Sequence, residues 1–163
     1  MPTILLTIDG DVESPVTLSF DDLAAMPEAF QICDVSRIDA KRSGGAVTLA
    51  GLLARVRPKS TAKHLTLHAS VDDFHASIPL DAVRERAILI YRLNGQPLPT
   101  KVGGPLRFYI PDFAACHTSE IDECANVKFV DRIELSASPG KDNRPLDAQE
   151  HAELHEREER QAR

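Results

Sequence analysis

Cys33 stands at the start of the polar stretch CDVSRIDAKRSGG, which carries three cations within ten residues: Arg37, Lys41 and Arg42. A thiolate is a soft anionic donor that binds metal ions once its proton is lost, and nearby cations favour that form. The stretch ends in glycines and has no apolar periodicity, so it is predicted to be a loop after a short strand. Cys33 is therefore a candidate ligand. A small buried thiol with solvated loop charges is the alternative.

A second polar stretch, AACHTSEIDECAN, holds two thiols and an imidazole, Cys116, Cys124 and His117, together with three acids: Glu120, Asp122 and Glu123. The C-x7-C spacing does not match the short knuckles of structural zinc sites. A role beside the substrate, reversible oxidation of exposed thiols and an inert loop all remain open for this stretch.

The other histidines give weaker signals. His151 and His155 are four residues apart in HAELH, which is not the H-E-x-x-H arrangement of metalloproteases. His64, His68 and His75 fall within predicted strands, where alternation favours surface or packing roles. Neither G-x-S-x-G nor a glycine loop that would cradle phosphate is present in the sequence.

The elements that must position these residues are mostly short strands. TILLTI and Val16–Leu18 are predicted strands, and Ser19 with Asp22 forms an S-x-x-D box before a short helix that ends by Pro27. Phe30 to Cys33 is a third predicted strand. The spacing of apolar residues over 49–56 predicts a helix that ends before Pro58.

From Lys63 to Ser136, short predicted strands dominate, apart from the polar stretch AACHTSEIDECAN, which is predicted to be a loop. The runs LTLHAS, FHASIPLDAV, AILIYRLNGQPL, PLRFYIPD and VKFVDRIELS are of strand length and are separated by turn residues. The expected fold class is α+β: mixed, mostly β, with short helices. Residues 141–163 differ, because they alternate in charge and hold few large apolar side chains. We expect one domain over 1–140 and a charged, partly helical tail over 141–163.

Composition narrows the class of protein. The chain has 163 residues, 42% of them hydrophobic and 27% charged, which is typical of one globular domain. A net charge of -6 and the lack of a basic stripe argue against a nucleic-acid partner. No export signal or membrane span is visible, and an odd number of cysteines in a chain that needs no disulfide predicts free thiols. These features favour a cytoplasmic protein.

Five motifs, in order, resemble the molybdopterin-binding domain of sulfite-oxidase-type oxidoreductases. They are LTIDGDVESPVTLSFDDLAAMP, VTLAGLL, ASVDDFHASIPLDAV, RLNGQPLPTKVGGPLRFYIP and NVKFVDRIEL. The resemblance covers residues 4 to 136 or so. It implies that family's mixed, mostly β fold and its molybdenum cofactor, which is held through the dithiolene of a pterin and one protein cysteine.

The resemblance also assigns roles to residues. Cys33 matches the cysteine that ligates molybdenum and would be the catalytic position. Arg37, Lys41 and Arg42 lie on the loop after Cys33, where they could favour its thiolate and hold the cofactor's phosphate, for which guanidinium groups offer a fork of donors. Lys128, in the matched V-K-aromatic motif, is a second candidate anchor. The implied reaction is oxygen-atom and two-electron transfer on a small-molecule substrate. Since the sequence has no C-x-x-C-H haem attachment, the electrons would leave through an electron-transfer protein or a diffusible mediator.

Two other functions remain open. The cysteine loop has no aromatic residue, the chain has no tryptophan, and Phe129 stands where the family frequently has tryptophan. The chain could therefore be a non-catalytic binding module that keeps the fold but has lost the cofactor. It could also be an interaction protein, recruiting a partner through its tail or a sheet edge.

Overall fold

The structure, a computed structural model, describes residues 3–112, 121–145 and 156–162. The strands are β1 (Ile4–Gly10), β2 (Val16–Ser19), β3 (Gln31–Ile32), β4 (Gly45–Thr48), β5 (His64–Ala69), β6 (Phe74–Pro79), β7 (Ile88–Leu93), β8 (Gln96–Pro97), β9 (Arg107–Tyr109) and β10 (Arg132–Ser136). The helices are α1 (Phe20–Ala24), α2 (Leu49–Val56), α3 (Leu80–Val83) and a C-terminal helix over 156–162. The fold is α+β and mostly sheet, which confirms the predicted class.

The strands form two sheets. The first has the order β2-β1-β10-β5-β6, with β1 and β10 parallel and the other neighbours antiparallel. The second has the order β3-β4-β7-β8, and β9 also pairs with β7. The Cys33 loop leaves from β3 and returns as β4, so the second sheet carries the candidate site.

The second sheet is buried on both faces, which explains why the sequence of β7 is apolar from Ile88 to Tyr91. Leu89 and Tyr91 face the main core that lies against the first sheet, while Ile88 and Ile90 face a smaller cluster on the opposite side. Side chains alternate between faces along a strand, so a run of apolar residues serves both clusters. The smaller cluster includes Val35, which lies within the Cys33 loop and packs that loop onto the sheet.

Two local predictions are confirmed, and two strands differ from expectation. Ser19 and Asp22 form the capping box of α1, and α2 spans the predicted residues. The third predicted strand keeps only Gln31–Ile32, because Phe30 belongs to a preceding 3-10 turn. The closing strand begins at Arg132, because Phe129 has a positive φ of 60° and its amide bonds to the carbonyl of Gly103.

Residues 140–145 lie against the edge of the first sheet. The amide of Asn143 donates to the His75 carbonyl, and its side-chain oxygen accepts from the His75 amide. These bonds cover an edge strand that would otherwise present free backbone groups. The division of the chain at residues 140/141 stays a prediction.

Candidate functional site

Cys33 directly follows β3, and a buried tyrosine fixes the strand before it. The Tyr91 hydroxyl donates to Gln31 Oε1 at 2.9 Å, and the Gln31 amide nitrogen donates to the carbonyl of Leu23 at 2.8 Å. Burial raises the pKa of Tyr91, which therefore remains a neutral donor in this chain of bonds. The backbone that delivers Cys33 is thus tied to both the second sheet and α1.

The loop between Cys33 and β4 is closed at its base. The Val35 amide donates to the Gly44 carbonyl at 2.8 Å, and Val35 itself is buried. Gly44 has a φ of 109°, and a Cβ there would stand 2.4 Å from the Arg92 carbonyl oxygen. Only glycine fits this close approach. The loop is therefore a fixed excursion from the sheet, with Cys33 exposed at its start.

The thiol of Cys33 lines an open hollow of about 440 Å³. Its other walls come from the end of the loop at Ser43 and from the turn between β7 and β8, with Arg92 among them. The Arg92 side chain lies across Gly45, where an added Cβ would meet its Nε at 2.5 Å. A thiol and a guanidinium thus share one cavity that can admit a small molecule.

A smaller hollow of about 110 Å³ adjoins the first, because Ser43 lines both. Three cations line this second hollow: Lys41, Arg42 and Arg107. Ser43 therefore stands between the hollow beside Cys33 and a group of positive charges.

Tyr109, on β9, fixes the loop beside the smaller hollow. Its hydroxyl donates to Asp39, and the Arg42 guanidinium carbon lies 5.1 Å from the centre of its ring. The hydrogen bond from Tyr109 and a second one from the Lys41 amide lower the pKa of Asp39. One aromatic side chain therefore holds both an acidic and a basic residue of the loop in place.

The charge balance in the smaller hollow favours an anion. Burial lowers the pKa of Arg107, and the charge of Arg42 lowers it further, while Glu158 acts in the opposite direction. The Nε atoms of Arg42 and Arg107 are buried and have no hydrogen-bond partner among the described residues. Two guanidinium groups that repel each other and have donors without partners are chemically suited to an oxygen anion.

Lys128 lies on the same side of the molecule as Arg107. A Cβ at Gly103 would stand 3.0 Å from Lys128 Cγ and 3.1 Å from Arg107 Cδ, so the two side chains flank this glycine. The Lys128 ammonium pairs with the carboxylate of Glu158, in the C-terminal helix, at 2.7 Å. We refer to Arg42, Arg107 and Lys128 as the cation cluster.

The other candidate residues from the sequence do not line the two hollows or lie outside the described residues. Arg37 is exposed at the end of a 3-10 turn and lines neither hollow. Cys124 is partly buried and packs against the main core, while Cys116 and His117 lie outside the described residues. The tail histidines lie outside them as well. Within the described parts of the chain, no group of three His, Cys, Asp or Glu side chains is placed to hold a metal ion.

Sequence reasoning missed two arginines of the site. Arg92 and Arg107 both stand in the stretch quoted for the family resemblance, beside the turns Asn94-Gly95 and Gly103-Gly104. The available signal was an arginine inside an otherwise apolar strand run, next to a glycine turn that lets a ligand approach the backbone. Their contribution depends on the pairing of β9 with β7, which the sequence pattern does not fix.

Sequence reasoning placed His68 and His75 in strands but did not foresee that they form a buried pair. His68 on β5 and His75 on β6 are cross-strand partners, and their Nδ1 atoms lie 2.7 Å apart. The outer nitrogen of His68 contacts Glu134 at 3.0 Å, and that of His75 contacts Asp73 at 2.7 Å. This polar chain lies on the face of the first sheet that points away from the main core, apart from the two hollows.

Comparisons with known proteins identify the family of the chain. The family model of the oxidoreductase molybdopterin binding domain matches residues 2–143. The uncharacterized oxidoreductase YuiH of Bacillus subtilis (strain 168) is 32% identical over 113 residues, which are 65% of this chain and 56% of that protein. The chain thus spans a little over half of that relative's length.

A solved structure gives the same assignment at the level of the fold. The crystal structure of the sulfane dehydrogenase SoxCD from Paracoccus pantotrophus superposes with a TM-score of 0.59 at 22% identity, covering 82% of this chain and 38% of that one. This confirms the sulfite-oxidase-type fold. The helices that the structure describes are all too short or too polar to cross a bilayer. The extent of the family match shows that the chain belongs to the oxidoreductase molybdopterin-binding domain family.

Proposed function

We propose that this chain binds a molybdenum-pterin cofactor, with Cys33 as the protein ligand to the metal, and uses it for oxygen-atom and two-electron transfer on a small substrate. The observation that carries the proposal is that Ser43 lines both hollows. The hollow on one side of it holds the exposed Cys33, and the hollow on the other side holds guanidinium donors. A cofactor with a soft metal at one end and a phosphate at the other has the same order of chemical groups.

The residues present fit such a cofactor. The buried Nε donors of Arg42 and Arg107 are the donors that a phosphate oxygen would satisfy. Lys41 lines the same hollow, and Lys128 lies nearby with an ammonium that can swing on its flexible stem. Arg37 has the weakest support, since it lines neither hollow. We assign Arg42 and Arg107 as the phosphate-binding pair and Lys41 and Lys128 as auxiliary cations.

Each residue has a simple task. The Cys33 thiolate ligates the metal, and the closed loop base at Val35 and Gly44 fixes the direction of its approach. Arg92 offers donors to an oxygen-bearing group held beside that thiol. When bound, the cofactor supplies the oxygen-atom and electron transfer. The open hollow beside Cys33 admits a small substrate. A separate electron-transfer protein accepting the electrons, and a cytoplasmic location, remain parts of the proposal.

The decisive experiment is metal analysis of protein purified from a host that makes the cofactor. We expect about one molybdenum per chain and an absorbance band that arises from the bond between the Cys33 sulfur and the metal, distinct from any band of the dithiolene sulfurs. Cys33→Ser should abolish the band, and Cys124→Ala should keep it, because Cys124 packs against the core away from the two hollows. Protein without molybdenum and without pterin would refute the proposal and favour the non-catalytic module.

A further inference from the structure

His68 and His75 bring two imidazole rings together on the outer face of the first sheet, and only 10% of each side chain is accessible. Their Nδ1 atoms lie 2.7 Å apart, which is a hydrogen-bond distance. The Nε2 atom of His68 lies 3.0 Å from Glu134, and that of His75 lies 2.7 Å from Asp73. The two rings, which we call the histidine pair, therefore make three polar contacts.

Three contacts need three protons on the rings. Each hydrogen bond holds one proton between two lone pairs, and an ionised carboxylate has no proton to give. Two neutral rings carry two protons, so at one of the three contacts two bare lone pairs would face each other. Two imidazolium rings carry four, and two N–H groups would then meet between the Nδ1 atoms. Only one neutral ring beside one imidazolium satisfies all three contacts.

The carboxylates at the two ends are ionised, so they do not supply the third proton. The hydrogen bond from His75 and the charge of Lys141 lower the pKa of Asp73. Glu134 contacts the Arg132 guanidinium at 3.5 Å, and a neighbouring cation favours the charged form of a carboxyl. The third proton therefore belongs to the rings.

The ion pairs on this face also favour a positive ring. They join into one polar chain, whose members besides the histidine pair are Asp9, Arg132, Glu134, Asp73 and Lys141. Three carboxylates and two cations leave one negative charge when both rings are neutral. One imidazolium brings the sum to zero.

Other charged side chains surround this polar chain. They are Asp72, Asp131, Asp142, Arg144, Arg157 and Glu158. The charge of His75 acts on Asp72, a half-buried carboxyl whose pKa is raised by burial and by Glu158. Since acids outnumber bases in this set as well, the wider surroundings do not oppose a positive ring.

We propose that the histidine pair is a proton-binding site, which holds one imidazole and one imidazolium ring at neutral pH and makes the contact of β6 with residues 141–143 sensitive to pH. When the third proton is lost, the contact that opens is the one with Asp73, whose side chain is 78% accessible against 34% for Glu134. Residues 141–143 respond, because Lys141 contacts the Asp73 carboxylate and the Asn143 side chain donates to the Asp73 carbonyl. This inference is independent of the proposed function.

The test is NMR spectroscopy of the full chain labelled with ¹⁵N in histidine, at about pH 7.5, where a free histidine ring is mostly neutral. Correlation spectra distinguish protonated from unprotonated ring nitrogens, and His68→Gln and His75→Gln assign the signals. We expect the four ring nitrogens of the histidine pair to carry three protons together, with both Nε2 atoms protonated. Two neutral rings or two imidazolium rings at this pH would overturn the proposal.

The dependence of stability on pH gives a second measurement. If the folded chain holds one more proton than the unfolded chain, the unfolding equilibrium constant rises about tenfold per pH unit for that proton as pH increases. Urea unfolding between about pH 7 and 8 should show this dependence in the wild type and lose it in the double variant His68→Gln/His75→Gln. His64→Gln is the matched control, because His64 is a half-buried histidine of β5 outside the pair, and it should keep the dependence. Equal slopes in the wild type and the double variant would also overturn the proposal.

Discussion

Arg107 is held in the folded protein at an electrostatic cost, and removing its charge should stabilise the fold. Burial and the neighbouring charge of Arg42 both lower its pKa, which means that the folded state disfavours the charged form. Its Nε is buried without a hydrogen-bond partner in the described structure. Arg107→Met keeps an apolar stem beside Gly103 and removes both the charge and the unpartnered donor.

The expected gain in the free energy of unfolding is about 1 kcal/mol. A buried donor without a partner costs about 1 to 3 kcal/mol, and the substitution removes that cost. It also removes the exposed bond from Arg107 to the Val102 carbonyl, which at 3.3 Å is long and contributes less than a typical bond. The attraction to Glu158 is lost as well. For a domain of this size, about 1 kcal/mol corresponds to a rise of about 2 to 4 °C in Tm.

Phosphate binding should change in the opposite direction. A hydrogen bond to a charged group is worth about 1.5 to 3 kcal/mol, so Arg107→Met should weaken phosphate binding about tenfold or more. The assay is thermal unfolding at low salt, with and without phosphate. We expect the variant to melt above the wild type without phosphate and to lose the stabilisation that phosphate gives the wild type.

Arg84→Met is the control variant for this prediction. Arg84→Met removes an arginine whose side chain is 39% exposed and paired with Asp81, so its Tm should change by about a degree or less. Added salt should narrow the difference between Arg107→Met and the wild type, because it screens the repulsion between Arg42 and Arg107. A variant that melts below the wild type in low-salt, phosphate-free buffer would refute the reasoning.

Two other predictions concern the first sheet. His68→Ala and His75→Ala should each lower the free energy of unfolding by about 1 to 3 kcal/mol, because each leaves the other ring's Nδ1 buried without its partner. The double variant should lose less than the sum of the two single losses. Urea unfolding of the two single variants and the double variant tests this, and strictly additive losses would contradict it. Burial alone would raise the pKa of Asp142, but hydrogen bonds from Arg144 and from the Ser77 amide outweigh burial and lower it from 3.8. Its stabilising effect is therefore complete above the ordinary carboxyl pKa and is lost as pH falls through the lowered folded value. Asp142→Asn should cost about 1 kcal/mol at neutral pH and flatten the acid side of the curve of stability against pH, and an unchanged acid side in urea unfolding would contradict this.

The sequence predicted the elements well where local signals act alone. The capping box at Ser19 and the periodicity of α2 depend on neighbours within one or two turns, and both are confirmed. The prediction was wrong at the start of the closing strand, where Phe129 adopts a positive φ. That conformation is supported by a bond to the carbonyl of Gly103, a residue distant in the sequence. Local pattern cannot reveal a turn that a remote carbonyl stabilises.

The site was predictable in part for the same reason. Cys33 and the loop cations are adjacent in the chain, so their types and spacing could be interpreted together. Arg107 joins Arg42 only because β9 pairs with β7 on the sheet that also carries the loop. His68 and His75 face each other only in the register of β5 with β6. A one-residue shift would turn one of the rings toward the main core.

The spacing of charges distinguishes Arg42 and Arg107 from the solvated cations of an ordinary protein surface. An acidic chain with a net charge of -6 has many carboxylates that could neutralise a buried arginine. Among the described residues, the charge of Arg42 repels that of Arg107 and the charge of Glu158 attracts it. Two partly buried arginines that lie close enough to repel each other are suited to bind an oxygen anion.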